Sequence, residues 1–258
     1  MKLSVDSLSF SYGSVTVLRD ISFFLHDGEL MIVIGPNGAG KSTLFKCILG
    51  TLPGYTGTIS ADGEDMRHLT IRQRAAAVAY IPQIHRPTFG YTVLDTVLMG
   101  VGRQIGIFSQ PKAEHIDAAM VAMERVGVEH LSERDFSRLS GGEQQLVLIA
   151  RAIAQHSGVL MMDEPTSALD YGNQIRVMEL IKSLSDEGYS VLLSTHNPQH
   201  ALSYADTVLA LGGGHTEAYG IPSETVNAEL MKKLYRANVD FVSFASGTVI
   251  VPKGGVRR

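Results

Sequence analysis

The chain of 258 residues has one cysteine, Cys47, so it can form no internal disulfide, which fits a reducing compartment. It has no long apolar run. The longest pieces, such as Leu30-Met31-Ile32-Val33-Ile34 and Val159-Leu160-Met161-Met162, fall far short of the ~18 residues that a spanning helix needs. No part of this sequence is therefore expected to cross a bilayer as a helix. A positive surplus is missing too: 22 Lys plus Arg stand against 26 Asp plus Glu, and the net charge of −4 argues against a general nucleic-acid binder. The opening MKLSVDSLSF has a single Lys and no apolar stretch, so no secretory signal is expected. Repeats and low-complexity tracts are also absent. What is present is 45% hydrophobic content, enough for a sizeable core in one large or two ordinary domains, and this excludes disorder.

The hydrophobic pattern changes along the chain. In the first 27 residues, Leu3, Val5, Leu8 and Phe10 and then Val15, Val17, Ile21 and Phe23 alternate with polar residues around Tyr12-Gly13-Ser14, which predicts an antiparallel β subdomain. After Asp27-Gly28 come continuous apolar segments without alternation: Leu30 to Ile34, Val78 to Ile81, Val159 to Met162, Val191 to Leu193 and Val208 to Leu211. Strands of this kind are covered on both faces, so the core should be α/β with a mostly parallel sheet. Ile116, Met120, Met123 and Val126 before Gly127, and Ile175, Met178, Ile181 and Leu184 before Gly188, predict helices that stop at those glycines. From about His85 to Ser157 the patterns are helical, which predicts a helical subdomain inserted into a single domain spanning 1–258. The tail from Val251 to Arg258 reads as a frayed basic end.

Gly35-Pro36-Asn37-Gly38-Ala39-Gly40-Lys41-Ser42-Thr43 follows an apolar strand and precedes a helix carrying Leu44, Phe45, Ile48 and Leu49. In that context the spacing G-x-x-x-x-G-K-[ST] marks a P-loop. The loop curls so that backbone N–H groups face phosphate oxygens, and the helix N-terminus adds positive potential. Lys41 can reach the β and γ phosphates, and Ser42 can hold Mg²⁺. Cys47 on the same helix is expected to pack. Such a loop needs an acidic partner, and Asp163-Glu164 at the end of an apolar strand supplies it: Asp163 for Mg²⁺ and Glu164, next along an extended backbone, to polarise an attacking water.

Leu139-Ser140-Gly141-Gly142-Glu143 precedes a helical stretch from Leu146 to Ala154, with Ser140 as a natural N-cap and two glycines that leave N–H groups open to an anion. With this turn added, the chain resembles an ABC-family ATPase over essentially its whole length. The ordered features are Tyr12 in FSYG, the P-loop, Gln83 in YIPQ, LSGGE at Leu139 to Glu143, Asp163-Glu164, Ser167-Ala168-Leu169-Asp170, and His196 in STH. The resemblance implies ATP and Mg²⁺ as ligands and a head-to-tail pair, in which Ser140, Gly141, Gly142 and Glu143 of one copy close on the nucleotide of the other. It further implies that Tyr12 stacks on adenine, that Gln83 senses Mg²⁺ or the attacking water, that His196 bonds the γ-phosphate, and that Asp170 organises the facing subunit's site.

Gly90 to Gly100, Asp170 to Gln174 and the ending from Leu234-Tyr235 to Val251-Pro252 are similar to subunits of importers for metal chelates, a group that handles iron siderophores, haem, cobalamin or molybdate. The resemblance then implies transmembrane permease partners, a binding protein met only indirectly, and a place at the cytoplasmic face of the membrane. A cytosolic ABC ATPase of a soluble assembly is the alternative. Three positions depart from common patterns: Leu146, Asn197 and the turn Gly212-Gly213-Gly214-His215. His196 and His200 have the spacing of a metal pair, but Pro198 should leave His196 outside the helix that carries His200.

Overall fold

A computed structural model describes residues 1–83, 90–102, 110–245 and 247–253. The elements run β1 (Leu3–Tyr12), β2 (Val15–Leu25), β3 (Leu30–Ile34), α1 (Lys41–Ile48), β4 (Thr56–Ala61), β5 (Glu64–Asp65), α2 (Ile71–Ala77) and β6 (Val78–Ile81). Next come α3 (Val93–Val101), α4 (Ala113–Val126), α5 (Gly141–Ala154), β7 (Val159–Asp163), α6 (Tyr171–Asp186), β8 (Ser190–Thr195) and α7 (Pro198–Tyr204). The chain continues through β9 (Thr207–Gly212), β10 (His215–Gly220), α8 (Pro222–Thr225), α9 (Ala228–Tyr235), β11 (Val239–Phe244) and β12 (Gly247–Pro252).

The main sheet has the order β10-β9-β3-β8-β7-β6, parallel throughout except for the β9–β10 hairpin at one edge. All five residues of β3 are fully buried, as a run without alternation requires. Its side chains part to opposite faces. Leu30, Ile32 and Ile34 join the core under the helices α4, α5 and α6, while Met31 and Val33 join the core under α1 and the antiparallel strands. Cys47 is fully buried in that second core, and burial pushes its thiol up to about 11, so it packs as an apolar residue.

The N-terminal strands form their own sheet, β2-β1-β4-β5, antiparallel throughout. Short β4 and β5 lie in a stretch where turn residues mask the alternation, and the sequence did not signal them. The sheet is tied to the main one where Arg19 N–H donates to Gly214 O and the Tyr219 hydroxyl donates to Phe24 O.

Between β6 and β7, α3, α4 and α5 pack on one another through Val97, Met123 and Leu148. The expected start of this insert at His85 lies outside the described residues. The face of α4 is turned from the one its sequence suggests: His115, Ala119, Ala122, Met123 and Val126 are buried, whereas Ile116 is 38% exposed. Small alanines, which carry little weight in a pattern of large apolar residues, let α4 approach its neighbours. Ile175 on α6 is likewise exposed, beside buried Val177, Met178, Ile181 and Leu184. α4 stops at Gly127, and α6 ends two residues before Gly188.

The expected frayed end is corrected in part. Val251 and Pro252 belong to β12, paired with Asp240 and Val239, and the Gln199 side chain on α7 pins this strand through Ile250 N–H and Thr248 O. Residues 254–258 lie outside the described residues.

Candidate active site

The loop between β3 and α1 is shaped by two glycines. At Gly35 a Cβ would lie 2.4 Å from the Leu211 carbonyl oxygen of neighbouring β9, so only a residue without a side chain lets the loop leave the sheet there. Gly40 has φ +103° and caps α1, a conformation that L side chains rarely adopt, and a Cβ there would crowd Leu18. Beside the loop is a cavity of about 420 Å³ lined by Tyr12, Val17, the backbone and side chains from Asn37 to Thr43, Gln83 and Glu164. Three separate parts of the chain, the N-terminal hairpin, the loop and the ends of β6 and β7, thus meet at one opening. This is the place outside the carboxyl ends of parallel strands where such sheets take ligands. Tyr12 is 46% exposed and packs at a right angle to Phe10, with ring centroids 4.9 Å apart.

Lys41 is only 6% exposed, and its Nζ donates to Gly35 O at 2.7 Å and Pro36 O at 3.3 Å while pairing with Glu164 Oε1 at 3.3 Å. Two of its donors thus bond loop carbonyls, and its charge faces the carboxylate. The other carboxylate oxygen of Glu164 accepts from Gln83 Nε2 at 3.1 Å and lies 3.1 Å from His196 Nδ1. Glu164 therefore gathers Lys41, Gln83 and His196 from three loops that the sequence separates widely. Gln83 also reaches Ser167 Oγ at 3.4 Å.

The expected extended backbone at Glu164 is corrected: its φ is +48°, although Pro165 follows it and normally holds the preceding residue in the extended region. The neighbouring strand imposes this geometry, because the Glu164 N–H donates both to Ser194 O at 3.1 Å and to Ser194 Oγ at 3.0 Å on β8. A non-glycine residue in this region costs on the order of 1–3 kcal/mol, and such strain collects at working sites. Asp163 is 4% exposed, lies beneath the cavity and does not line it, and accepts from Ser194 Oγ at 2.6 Å.

The Ser140 turn forms as expected. Ser140 Oγ accepts from Glu143 N–H at 3.4 Å and donates to Glu143 Oε2 at 2.7 Å, and that same oxygen accepts from Ser140 N–H. The hydroxyl and backbone N–H of Ser140 hold the Glu143 carboxyl below its usual range. Glu143 is thus occupied in closing its own helix. Ser140 and Gly141 are exposed at the start of α5, yet neither they nor Gly142 nor Glu143 lines the cavity beside Lys41. Asp170, also exposed, caps α6 by accepting from Asn173 N–H at 2.9 Å, and hydrogen bonds from Asn173 hold it below the usual carboxylate range. His196 lies outside α7, whose cap is Asn197 and whose first residue is Pro198. His200 is buried in α7 and is not turned to the cavity.

Over residues 18–167 the chain matches the family described as ABC transporter. The chain belongs to that family. An ABC transporter ATP-binding protein of Haemophilus influenzae is 38% identical over 94% of this chain and 92% of its own length. A probable iron chelatin transport ATP-binding protein of Helicobacter pylori is 38% identical over 82% of this chain and 84% of its own. Among solved structures, an ABC transporter assigned to the metal-chelate type, in an inward-facing conformation, aligns with a TM-score of 0.86 at 32% identity, over 97% of this chain and 96% of that one. These relatives fit a transporter subunit and not the ATPase of a soluble assembly. This ABC subunit binds ATP and hydrolyses it to power transport.

Two residues of the ABC site escaped the sequence reading. Val17 lines the cavity next to Tyr12, and Ser194 bonds both Asp163 and Glu164. Ser194 stands two residues before His196 in STH, so its place at the end of a buried strand was visible; that its hydroxyl turns toward β7 was not.

Proposed function

We propose that the chain is the ATP-hydrolysing subunit of an importer for a metal chelate, working as a head-to-tail pair beneath a transmembrane permease at the cytoplasmic face of the cell membrane. The observation that carries the pairing is the separation of the two anion-binding turns. The Ser140-Gly141-Gly142 turn stands at the N-terminus of α5 with Gly141 exposed and lines no part of the cavity beside Lys41, while Gly141 lines a smaller cavity with Gln83 and Glu164. In a head-to-tail pair that turn and Asp170 of one copy close on the nucleotide held by the other. The chelate as cargo is supported by the relatives named above, and a binding protein outside the membrane would meet this chain only through the permease.

Tyr12, exposed where it lines the cavity, offers its ring to adenine, and Gly35 to Thr43 wrap the phosphates with backbone N–H groups. Lys41 gives up Glu164 and its loop carbonyls to reach the β and γ phosphates. Glu164, so released, takes a proton from a water positioned by Gln83 while that water attacks the γ phosphorus, and the bond to ADP breaks. His196, already within hydrogen-bond reach of the same carboxylate, moves its ring to the γ phosphate. The donor set fits Mg²⁺: Ser42, Gln83 and Asp163 bring a hydroxyl, an amide carbonyl and a carboxylate, all hard oxygens. When bound, the metal neutralises charge on the phosphates.

A permease element would engage the surface where β6 leaves the core toward Gln83. A groove of about 570 Å³ walled by Leu49, Met66, Ile71, Arg74 and Tyr80 adjoins β6, and Tyr91 is 42% exposed. Affinity purification of the tagged chain from detergent-solubilised membranes tests the proposal. A polytopic membrane protein should co-purify, with ATP hydrolysis that responds to it; a partner found only in the soluble fraction would overturn the proposal.

A further inference from the structure

Gln83 and Glu164 line both the large cavity beside Lys41 and a smaller one of about 150 Å³. Their own hydrogen bond, Gln83 Nε2 to Glu164 Oε2 at 3.1 Å, is therefore common to the two. The smaller cavity is walled on one side by a single face of α5: Gly141, Gln144, Gln145 and Leu148 recur at the three- and four-residue spacing of a helix. Its remaining lining is the segment that follows Glu164, including Ser167.

The two adjacent glutamines on that face of α5 differ. Gln144 Nε2 is engaged by the Phe136 and Leu139 carbonyls, at 3.3 and 3.1 Å. Gln145 is only 8% exposed, and its Nε2 is buried with no hydrogen-bond partner among the described residues. A buried donor left unpaired is destabilising, and methionine would fill the same space without that penalty. Such a group calls for a second arrangement in which it is paired. Ser167 Oγ, on the same cavity, is an acceptor that Gln83 Nε2 holds at 3.4 Å while also donating to Glu164. The Ser167 N–H in turn donates to Glu164 O, so Ser167 belongs to the turn that carries this carboxylate.

We propose that Gln145 is a positioning residue that exchanges with Gln83: when Gln83 turns to the nucleotide, the Gln145 amide takes up the Ser167 hydroxyl. The loaded arrangement then has a bond between α5 and the turn after Glu164 that the empty one lacks. Gln145 lies about one helical turn after Gly141, so this bond fixes the end of α5 bearing Ser140 and Gly141 against the acidic strand end only when nucleotide is in place. In the empty protein the unpaired donor narrows the gap between the two arrangements.

The exchange rests on the reading above that nucleotide draws Gln83 from its bonds, and the experiment separates the two. Urea unfolding of the purified full chain without nucleotide is measured for the unaltered protein, Gln145→Met, Gln83→Ala and the double variant. A non-hydrolysable ATP analogue with Mg²⁺ is titrated into the unaltered protein and Gln145→Met. Gln145→Met should raise the midpoint in the unaltered background, where the donor is unpaired, and lower it in the Gln83→Ala background, where Ser167 is free to accept it. Affinity for the analogue should fall about fivefold in Gln145→Met, the worth of one hydrogen bond made only in the loaded arrangement. Any other pair of signs would overturn the exchange. The expected signs with unchanged affinity would leave the exchange standing and overturn the reading that nucleotide draws Gln83 away.

Discussion

Replacing Glu164 by Gln removes a charge and leaves almost every contact in place. In the folded chain Glu164 Oε1 is 3.3 Å from Lys41 Nζ, and Oε2 is 3.1 Å from both Gln83 Nε2 and His196 Nδ1. A glutamine oxygen can keep facing Lys41. Its NH₂ then meets Gln83, which repairs the contact by turning its own amide, and His196, which repairs it by changing tautomer. Stability and nucleotide affinity should therefore persist. Affinity should even rise, because Lys41 is held by two loop carbonyls and the Glu164 carboxylate and must turn from that carboxylate toward a phosphate, and a neutral amide holds it less firmly than a carboxylate. What is lost is the base. Turnover should fall by about 10²–10⁴, which is about 2.7–5.4 kcal/mol on the barrier. Phosphate release at saturating MgATP gives the rate, and equilibrium titration with ATP gives the affinity. Turnover close to that of the unaltered protein would refute the role of Glu164, and loss of ATP binding would refute the account of Lys41.

Gly35→Ala would place a Cβ 2.4 Å from the Leu211 carbonyl oxygen, so the loop must shift off β9; a loss of about 1–3 kcal/mol in denaturant unfolding and failure to bind ATP are expected. Ser194→Ala removes the 2.6 Å bond to a buried carboxylate and should lower stability by about 1.5–3 kcal/mol, read from the urea midpoint; an unmoved midpoint would contradict the distances reported for Asp163. His200 is buried, and burial first, then the neighbouring His196, lower its pKa from 6.5. Its contribution to stability is thus complete above the unfolded value and is lost as pH falls toward the folded one, because the unfolded chain binds the proton first. Unfolding free energies measured downward from about pH 7 should decline, and His200→Gln should flatten that decline; equal slopes would exclude this histidine as the cause.

The sequence announced the core strands because a strand buried on both faces has no polar alternation to hide it. Val78–Ile81 and Leu30–Ile34 appear in the fold with the bounds their sequences suggest. The helices were legible in position but less so in orientation. Ile116 and Ile175, large and apolar, face solvent, while the alanines of α4 face the core, since packing distance between helices rewards small residues that a hydrophobic pattern underrates. One cap was legible: Ser140 closes α5 through Glu143, whereas Thr70, Thr92 and Asp170, which close their helices through the residue three positions on, were not read as caps. The strand β4 was not legible, because its pairing with β1 depends on a partner about 50 residues distant in the chain, and the two-residue β5 pairs only with β4.

The chemical parts of this protein were fixed by local sequence. A glycine-rich loop between a buried strand and a helix, two acids at a strand end, and a second capped turn are short-range patterns that the residue types themselves announce. Only the tertiary structure decided what those parts do to one another. It brought Lys41, Gln83 and His196 onto the two oxygens of Glu164, turned Glu164 into a left-handed backbone through Ser194 on the next strand, and tied Asp163 to that same Ser194. The physical reason is strand order. The site is built from residues at or just past the ends of β6, β7 and β8 and from the loop after β3, neighbours in the sheet but tens of residues apart in the chain, so no local pattern records their contact.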